Sequence, residues 1–322
     1  MKYRFWRPIS IDYISHEYFP DVALYMRTNS NFVMYKAPGR QFTVDDHRRL
    51  ERNYTEFLYI RTGDMEEIND YLENNLAEMI AREDLNSVTK GRILYQTVTN
   101  YVIDVFENPE KVSNKERCSR LIHLMLQYQY MALGEDMLEA LRTVTALNYY
   151  IFGHSVQVAA LNLLMHENLF KLDLDEMVDV GIGSLFHDIG MTLITDGVLD
   201  KPDALCDFEF YKLKQHTQKG YEFLKQTGLF SGVALGIVRH HHDRYDGNGY
   251  PTGIMGGAIP VNAQATSLSD IYSALTTERP YRTASSSEHA LKIMQDCIDI
   301  FNPELFKQFR EIVISGSEYQ RA

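Results

Sequence analysis

The stretch Leu174–Gly190, LDEMVDVGIGSLFHDIG, ends an apolar run with a His-Asp pair. Its apolar residues recur at three- and four-residue steps, the spacing of one helix face, and Asp173 with Glu176 predicts an N-terminal capping box. His187 and Asp188 then fall at the helix end, about 100° apart around its axis. The imidazole could bind one metal ion while the carboxylate bridges to a second, although a helix C-terminus also accepts a lone histidine because of its dipole.

Further histidines and one acid on other predicted helices strengthen the metal interpretation. Seven of the 11 histidines fall between positions 154 and 242. Five predicted helices each carry one or two candidate ligands, namely His154, His187 with Asp188, His216, His241 with His242, and Asp270. Taken singly, each could be a buried structural histidine or a surface residue. Together they predict a metal site inside a helical bundle.

The candidate ligands also indicate the metal and the class of reaction. Imidazoles with a bridging carboxylate and no thiolate favour iron, manganese or a similar divalent ion over a tetrahedral structural zinc. Two such ions about 3.5–4 Å apart can acidify a water molecule and stabilise the attacking and leaving oxygens of a phosphoryl transfer. We therefore expect two divalent metal ions and hydrolysis of a phosphodiester.

The segment His240–Pro251 contains the last pair of candidate ligands and the loop that follows them. Its glycines permit a tight irregular loop, and Tyr250 offers an aromatic face and a hydroxyl group beside the predicted site. On these residues alone the loop could be only the exit turn of a helix. We interpret His240 as structural, or as a group that orients a neighbouring ligand.

In this order and spacing, the motifs resemble the HD-GYP family of the HD phosphohydrolase superfamily. The resemblance covers about residues 140–315. It rests on His154-Ser155, His187-Asp188-Ile189-Gly190, His216 with Gly220-Tyr221, His241-His242-Asp243, Asp246 to Pro251, Asp270-Ile271-Tyr272 and Arg279 to Arg282. The resemblance implies an all-helical HD-type bundle that hydrolyses cyclic di-GMP to pGpG, and in many members onward to GMP.

The resemblance also implies a role for each candidate residue. One metal ion would be held by His154, His187, Asp188 and Asp270. The second would share Asp188 and add three imidazoles, from His216, His241 and His242. The catalytic residues would be His187 and Asp188. Substrate contacts would come from Tyr250, Arg279 and Arg282, the arginines because a planar guanidinium group fits a phosphate.

Four positions depart from the family pattern. Met191 stands where a lysine is common, and it can neither carry charge nor donate a hydrogen bond. Asp243 replaces the usual glutamate, and Ser273 replaces a second aspartate. Tyr150 stands where some relatives have a glutamate that binds a third metal ion, so two ions are expected here. None of these changes removes a candidate ligand.

Three functions therefore remain open. The first is an active cyclic di-GMP phosphodiesterase. The second is a regulator with weak or no turnover that keeps the metal site and binds a cyclic dinucleotide or a protein partner, and Met191 favours it. The third is a hydrolase of a hybrid cyclic dinucleotide.

Length and patterning predict a mainly α protein of two domains. The 322 residues are enough for about two domains. Short strands near the start predict a small α+β module, which with connecting helices forms a regulatory or dimerising segment over residues 1–133. Helical periodicity predicts that the phosphohydrolase bundle occupies residues 134–322.

Composition excludes several classes of protein. The formal net charge of −12 opposes binding to DNA or RNA. No apolar run approaches the roughly 20 residues of a membrane span. Three widely separated cysteines predict reduced, buried thiols rather than disulfides. These features together predict a cytoplasmic location.

Overall fold

The computed structural model describes residues 5–16, 19–29, 31–132, 134–145, 150–194, 206–277 and 283–318. The chain divides into two compact units, which we call the N-terminal unit (1–97) and the helical unit (98–322). The division falls within one helix, α3 (Ser87–Glu107). The domain boundary expected at residues 133 and 134 concerns where the phosphohydrolase begins, and it stays a prediction.

The N-terminal unit contains a four-stranded antiparallel sheet in the order β1-β4-β2-β3. Its elements before α3 are β1 (Trp6–Ser10), β2 (Leu24–Thr28), β3 (Asn31–Lys36), α1 (Val44–Arg52), β4 (Phe57–Arg61) and α2 (Met65–Ala81). Alternate residues of the central strands are buried, among them Leu24, Leu58 and Ile60. The predicted α+β module is thus confirmed, and its regulatory or dimerising role stays a prediction.

The helical unit contains the remaining helices. They are α4 (Lys115–Met131), α5 (Gly134–Thr145), α6 (Tyr150–Leu169), α7 (Leu174–Leu185), α8 (Asp207–Lys214), α9 (His216–Thr227), α10 (Gly232–His240), α11 (Val261–Thr276), α12 (Ser287–Asp296) and α13 (Pro303–Glu318). Helices α6, α7, α10 and α11 pack in a closed ring, each against the next. At Gly183 of α7 an added Cβ would come within 3.0 Å of Ala234 and Ile237 of α10, so this glycine allows the two helices to approach closely. The predicted mainly α, HD-type architecture is confirmed.

Apolar spacing predicts one long helix over 135–165 and another over 208–226, and each is two helices in the structure. The first stretch contains α5 and α6, and the second breaks at Gln215 between α8 and α9. Apolar spacing is similar on both sides of such a break, so periodicity alone does not reveal it. The capping box predicted from Asp173 and Glu176 is confirmed by both of its hydrogen bonds.

The cysteines depart in part from their prediction. Cys118 is buried, and burial raises the pKa of its thiol to about 12. Cys206 and Cys297 are exposed, so the prediction of buried thiols is wrong for both, because each follows or precedes a short surface helix. No helix in the described ranges is long and apolar enough to cross a membrane.

Candidate metal centre

The His187-Asp188 pair lies just beyond the end of α7. The helix ends at Leu185, and a 3-10 turn begins at Ile189. A Cβ at Gly190 would collide with the main-chain carbonyl of His216. Glycine at this position therefore lets the turn pack directly against the first residue of α9, which brings Asp188 next to His216.

The structure brings all seven candidate ligands together. Four of them offer donor atoms within 4.8 Å of one another: Asp188, His216, His241 and His242. A second group shares the same carboxylate and consists of His154, His187 and Asp188. Asp270 adjoins both groups, with one oxygen 3.0 Å from His154 Nε2 and the other 3.8 Å from His242 Nδ1. Two donor groups with one common carboxylate fit a pair of metal ions.

Hydrogen bonds to the main chain orient three of the imidazoles. His187 Nδ1 lies 2.7 Å from the carbonyl oxygen of Ser184, and His216 Nδ1 lies 2.8 Å from that of Leu213. His241 Nδ1 bonds the carbonyls of its own helix end in the same way. A carbonyl oxygen only accepts, so each Nδ1 carries a proton and Nε2 is the ring nitrogen that faces the cluster.

These inward nitrogens meet one another and a carboxylate. The Nε2 atoms of His216 and His241 lie 3.3 Å apart, and Asp188 Oδ1 lies 3.2 Å and 3.8 Å from them. In the described part of the chain, His187 Nε2 and Asp188 Oδ1 are buried without a hydrogen-bond partner. Lone pairs and a carboxylate facing each other repel, whereas a cation among them is attracted to all of them. The donor set therefore fits a metal ion.

The charge state of the cluster also suits metal binding. Burial alone would raise the pKa of Asp188 and Asp270, but the neighbouring imidazoles hold both below the usual range. Burial and nearby imidazoles lower the pKa of His241 well below its ordinary value, and burial lowers that of His242 to about 4. For His187, burial is outweighed by the two carboxylates, which raise its pKa to about 9. A bound metal would displace that proton.

His154 is oriented by side chains instead of the main chain. Its Nδ1 lies 2.9 Å from Ser273 Oγ, and the serine hydroxyl donates to Gln157 Oε1 at 2.7 Å. Thr277 donates a second hydrogen bond to the same amide oxygen. Gln157 is not among the candidates predicted from the sequence, where its signal is a polar side chain three positions after His154 on the same helix.

The loop after the histidine pair is held closed by Asp243. Its carboxylate accepts hydrogen bonds from Thr252 Oγ and the main-chain N–H of Gly253, both at 2.9 Å. His240 Nδ1 lies 2.7 Å from the same carboxylate. His240 thus lies outside the cluster of seven and braces this loop, in agreement with its structural interpretation.

The closed loop places Tyr250 against the cluster. The main-chain N–H of Tyr250 donates to the carbonyl of His242 at 3.1 Å. A Cβ at Gly249 would collide with the backbone of Arg244 and come within about 2.5 Å of the His242 carbonyl, so this close approach requires glycine. The ring centroids of Tyr250 and His242 lie 4.8 Å apart. Arg279 and Arg282 lie outside the described residues.

Comparisons with known proteins find a family match and several relatives. Residues 151–305 match the family described as HD domain. The chain is 33% identical over 164 residues to the cyclic di-GMP phosphodiesterase PA4108 of Pseudomonas aeruginosa, covering 51% of this chain and 39% of that protein. It is 28% identical over 263 residues to the 3'3'-cGAMP-specific phosphodiesterase 3 of Vibrio cholerae, covering 79% of this chain and 55% of the relative.

A third relative and a solved structure extend the comparison. The response regulator RpfG of Xanthomonas campestris, a cyclic di-GMP phosphodiesterase, is 31% identical over 212 residues, which are 59% of this chain and 56% of that one. The chain thus spans between 39% and 56% of the length of these relatives. Bd1817, an HDG"Y"P protein from Bdellovibrio bacteriovorus, matches with a TM-score of 0.69 at 19% identity, covering 96% of this chain and 99% of that one. That likeness shows the fold.

Proposed function

Because residues 151–305 form an HD domain of the HD-GYP type, we propose that this protein is a metal-dependent phosphodiesterase that hydrolyses cyclic di-GMP to pGpG and onward to GMP. One observation carries the proposal. The Nε2 atoms of His216 and His241 face each other at 3.3 Å beside the buried carboxylate of Asp188, an arrangement that a bound cation stabilises.

The proposed centre holds two ions, of iron or manganese. One is held by His154, His187, Asp188 and Asp270. The other is held by Asp188, His216, His241 and His242. When bound, such ions supply positive charge that acidifies water and neutralises a phosphate. The protein contributes a carboxylate shared between both groups and imidazoles fixed by hydrogen bonds, so little reorganisation is needed on binding.

Substrate contacts are proposed for three residues. Tyr250 packs against His242 at the edge of the cluster, where its ring can contact a nucleotide whose phosphate lies on the metal ions. Arg279 and Arg282 are proposed to contact phosphates on the resemblance to the family alone. Both belong to a segment outside the described residues.

A hybrid cyclic dinucleotide is the second candidate substrate. The relatives include three proteins named 3'3'-cGAMP-specific phosphodiesterases, alongside those named for cyclic di-GMP. Both substrates present two phosphodiesters in one ring, and they differ in one purine base. The metal centre meets the same phosphodiesters in both substrates, so selectivity between cyclic di-GMP and the hybrid depends on residues that contact the bases.

The test is a competition between the two substrates. The protein is purified without oxygen, loaded with Fe(II) or Mn(II), and given cyclic di-GMP and 3'3'-cGAMP in equal amounts, and the linear dinucleotides and mononucleotides are separated by chromatography. We expect pGpG and GMP to form faster than the products of the hybrid. Faster cleavage of 3'3'-cGAMP would assign the hybrid substrate. Binding of both without cleavage under either metal would contradict the enzyme and assign a regulator.

A further inference from the structure

Met191 leaves the site without the lysine that is common at this position, but another lysine, Lys214, lies beside Tyr250. Met191 directly follows Gly190, whose backbone packs against the carbonyl of His216. Lys214 precedes His216 by two residues, at the last position of α8. Positions 191 and 214 thus belong to two segments that meet at one backbone contact.

Lys214 is held at the edge of the metal centre by aromatic rings. Its Nζ lies 5.3 Å from the ring centroid of Tyr250 and 4.6 Å from that of Phe210. The Tyr250 ring in turn packs on His242. The lysine is half-buried, and among the described residues it has no carboxylate within ion-pair distance. In that part of the chain its ammonium group contacts ring faces and no acid.

We propose that Lys214 contacts a phosphate of the substrate and supplies the cation that Met191 lacks. The inference rests on the proposed function. A cyclic dinucleotide carries two negative charges, the centre itself contains the carboxylates of Asp188 and Asp270, and the chain has a net charge of −12. An ammonium on a flexible stem can turn from the Tyr250 ring to a phosphate oxygen without breaking an ion pair to any residue that the structure describes.

Lys212 offers a matched control on the same helix. Its Nζ lies 4.7 Å from the ring of Phe208, four residues earlier, just as Lys214 lies over Phe210 four residues earlier. Phe208 and Phe210 are both exposed. Lys212→Gln and Lys214→Gln therefore remove the same charge and the same type of ring contact from α8. In addition, Lys214→Gln removes the contact with the Tyr250 ring beside the metal centre.

The experiment measures affinity and turnover separately. Anaerobically metal-loaded proteins of equal metal content are titrated with a slowly hydrolysed phosphorothioate analogue of cyclic di-GMP, and KM and kcat are measured with cyclic di-GMP itself. We expect Lys214→Gln to raise Kd and KM by about tenfold while kcat changes less than threefold. For Lys212→Gln we expect Kd, KM and kcat to stay within about twofold of the wild-type values. Equal effects of the two substitutions, or no effect of Lys214→Gln, would overturn the inference.

Rescue by Met191→Lys tests the shared role. In the Lys214→Gln background we expect Met191→Lys to restore most of the lost affinity for the analogue. In the wild type we expect it to increase that affinity less than about threefold, because one phosphate site needs one cation. The same gain in both backgrounds would overturn the inference. A wild type that binds the analogue but cleaves no cyclic dinucleotide would contradict the proposed function. The affinities of the wild type, the two single variants at positions 191 and 214 and the double variant for the analogue would still decide the role of Lys214.

Discussion

Two clusters of buried polar side chains lie in the helical unit, and the ring nitrogens of their histidines have different partners. In the metal centre, His187 Nε2 lies 3.5 Å from a carboxylate oxygen of Asp188 and has no hydrogen-bond partner among the described residues. In the second cluster, which we call the Asn162 network, His166 is fully buried with both nitrogens engaged. The network consists of Asn162, His166, Ser184, Asn262 and Thr266.

The contrast identifies which buried histidines are available to a metal. His166 Nδ1 lies 2.8 Å from the Asn162 carbonyl, and its Nε2 lies 3.0 Å from Asn262 Oδ1, an amide end that presents an N–H donor to the neutral ring once the amide is turned by 180°. A histidine with neutral partners on both sides needs no cation. His154 lies on the same helix, α6, yet its Nε2 faces Asp270. Burial alone therefore does not mark a ligand, whereas the partner of the inward nitrogen does.

The largest expected effect comes from the carboxylate common to both donor groups. Asp188→Ala should remove both metal ions and reduce turnover below detection, because each donor group loses an anionic ligand. Metal content by mass spectrometry after anaerobic loading, together with product chromatography, checks this. A variant that retained both ions would show that Asp188 does not bridge them.

A pair of alanine substitutions should separate metal binding from folding. His187→Ala should lower the metal content strongly, because a donor is lost. His166→Ala should leave it unchanged and lower the free energy of unfolding by about 2–4 kcal/mol, because a buried cavity forms and hydrogen bonds are lost. Metal analysis and denaturant unfolding with a chelator present measure both quantities. The contrast fails if His166→Ala also releases the metal.

Two serine substitutions compare the hydrogen bonds behind the histidines. Ser273→Ala removes the partner of His154 Nδ1 and should weaken metal affinity by about 10-fold or more, the range found for groups that orient a ligand. Ser184→Ala removes a hydroxyl of the Asn162 network but keeps the carbonyl that binds His187, so metal affinity should stay within about threefold. Titration against a competing chelator gives both values, and equal losses would argue against an orienting role for Ser273.

The smallest expected effect is a pH dependence of the free energy of unfolding that arises from His166 in the Asn162 network. Burial lowers the pKa of His166, while the unfolded chain titrates near 6.5. Below that pH the unfolded state binds the extra proton, so the contribution of His166 to stability is present above about pH 6.5 and declines as the pH falls. The stability advantage of the wild type over His166→Gln should shrink between pH 7.5 and 5, by at most about 1.4 kcal/mol per pH unit. Chelator-treated proteins unfolded in urea test this, and a constant difference would refute it.

The features that the sequence predicted have local signals. Helical apolar spacing predicted the mainly α fold, short strands predicted the small α+β module, and histidines and acids on the predicted helices gave the residues of the cluster. The His-Asp pair was predicted at a helix end, and the structure places it just past Leu185. The ligand roles themselves remain proposals.

The features that the sequence did not predict depend on the way the chain folds beyond local apolar spacing. The break at Gln215 arises where His216 begins a new helix and bonds Leu213, a geometry that apolar periodicity does not encode. The chain from His154 through Ser273 to Gln157 joins residues 119 positions apart in the sequence. The role proposed for Lys214 depends on Tyr250, which the tight loop at Gly249 brings beside the lysine.

Anomalous X-ray diffraction from crystals grown anaerobically with Mn(II) would test the two-metal centre most directly. We expect two anomalous peaks about 3.5–4 Å apart, on either side of the Asp188 carboxylate, one beside His154 and His187 and the other beside His216, His241 and His242. A cluster without any peak, or a single peak bound without Asp188, would contradict the two-metal centre.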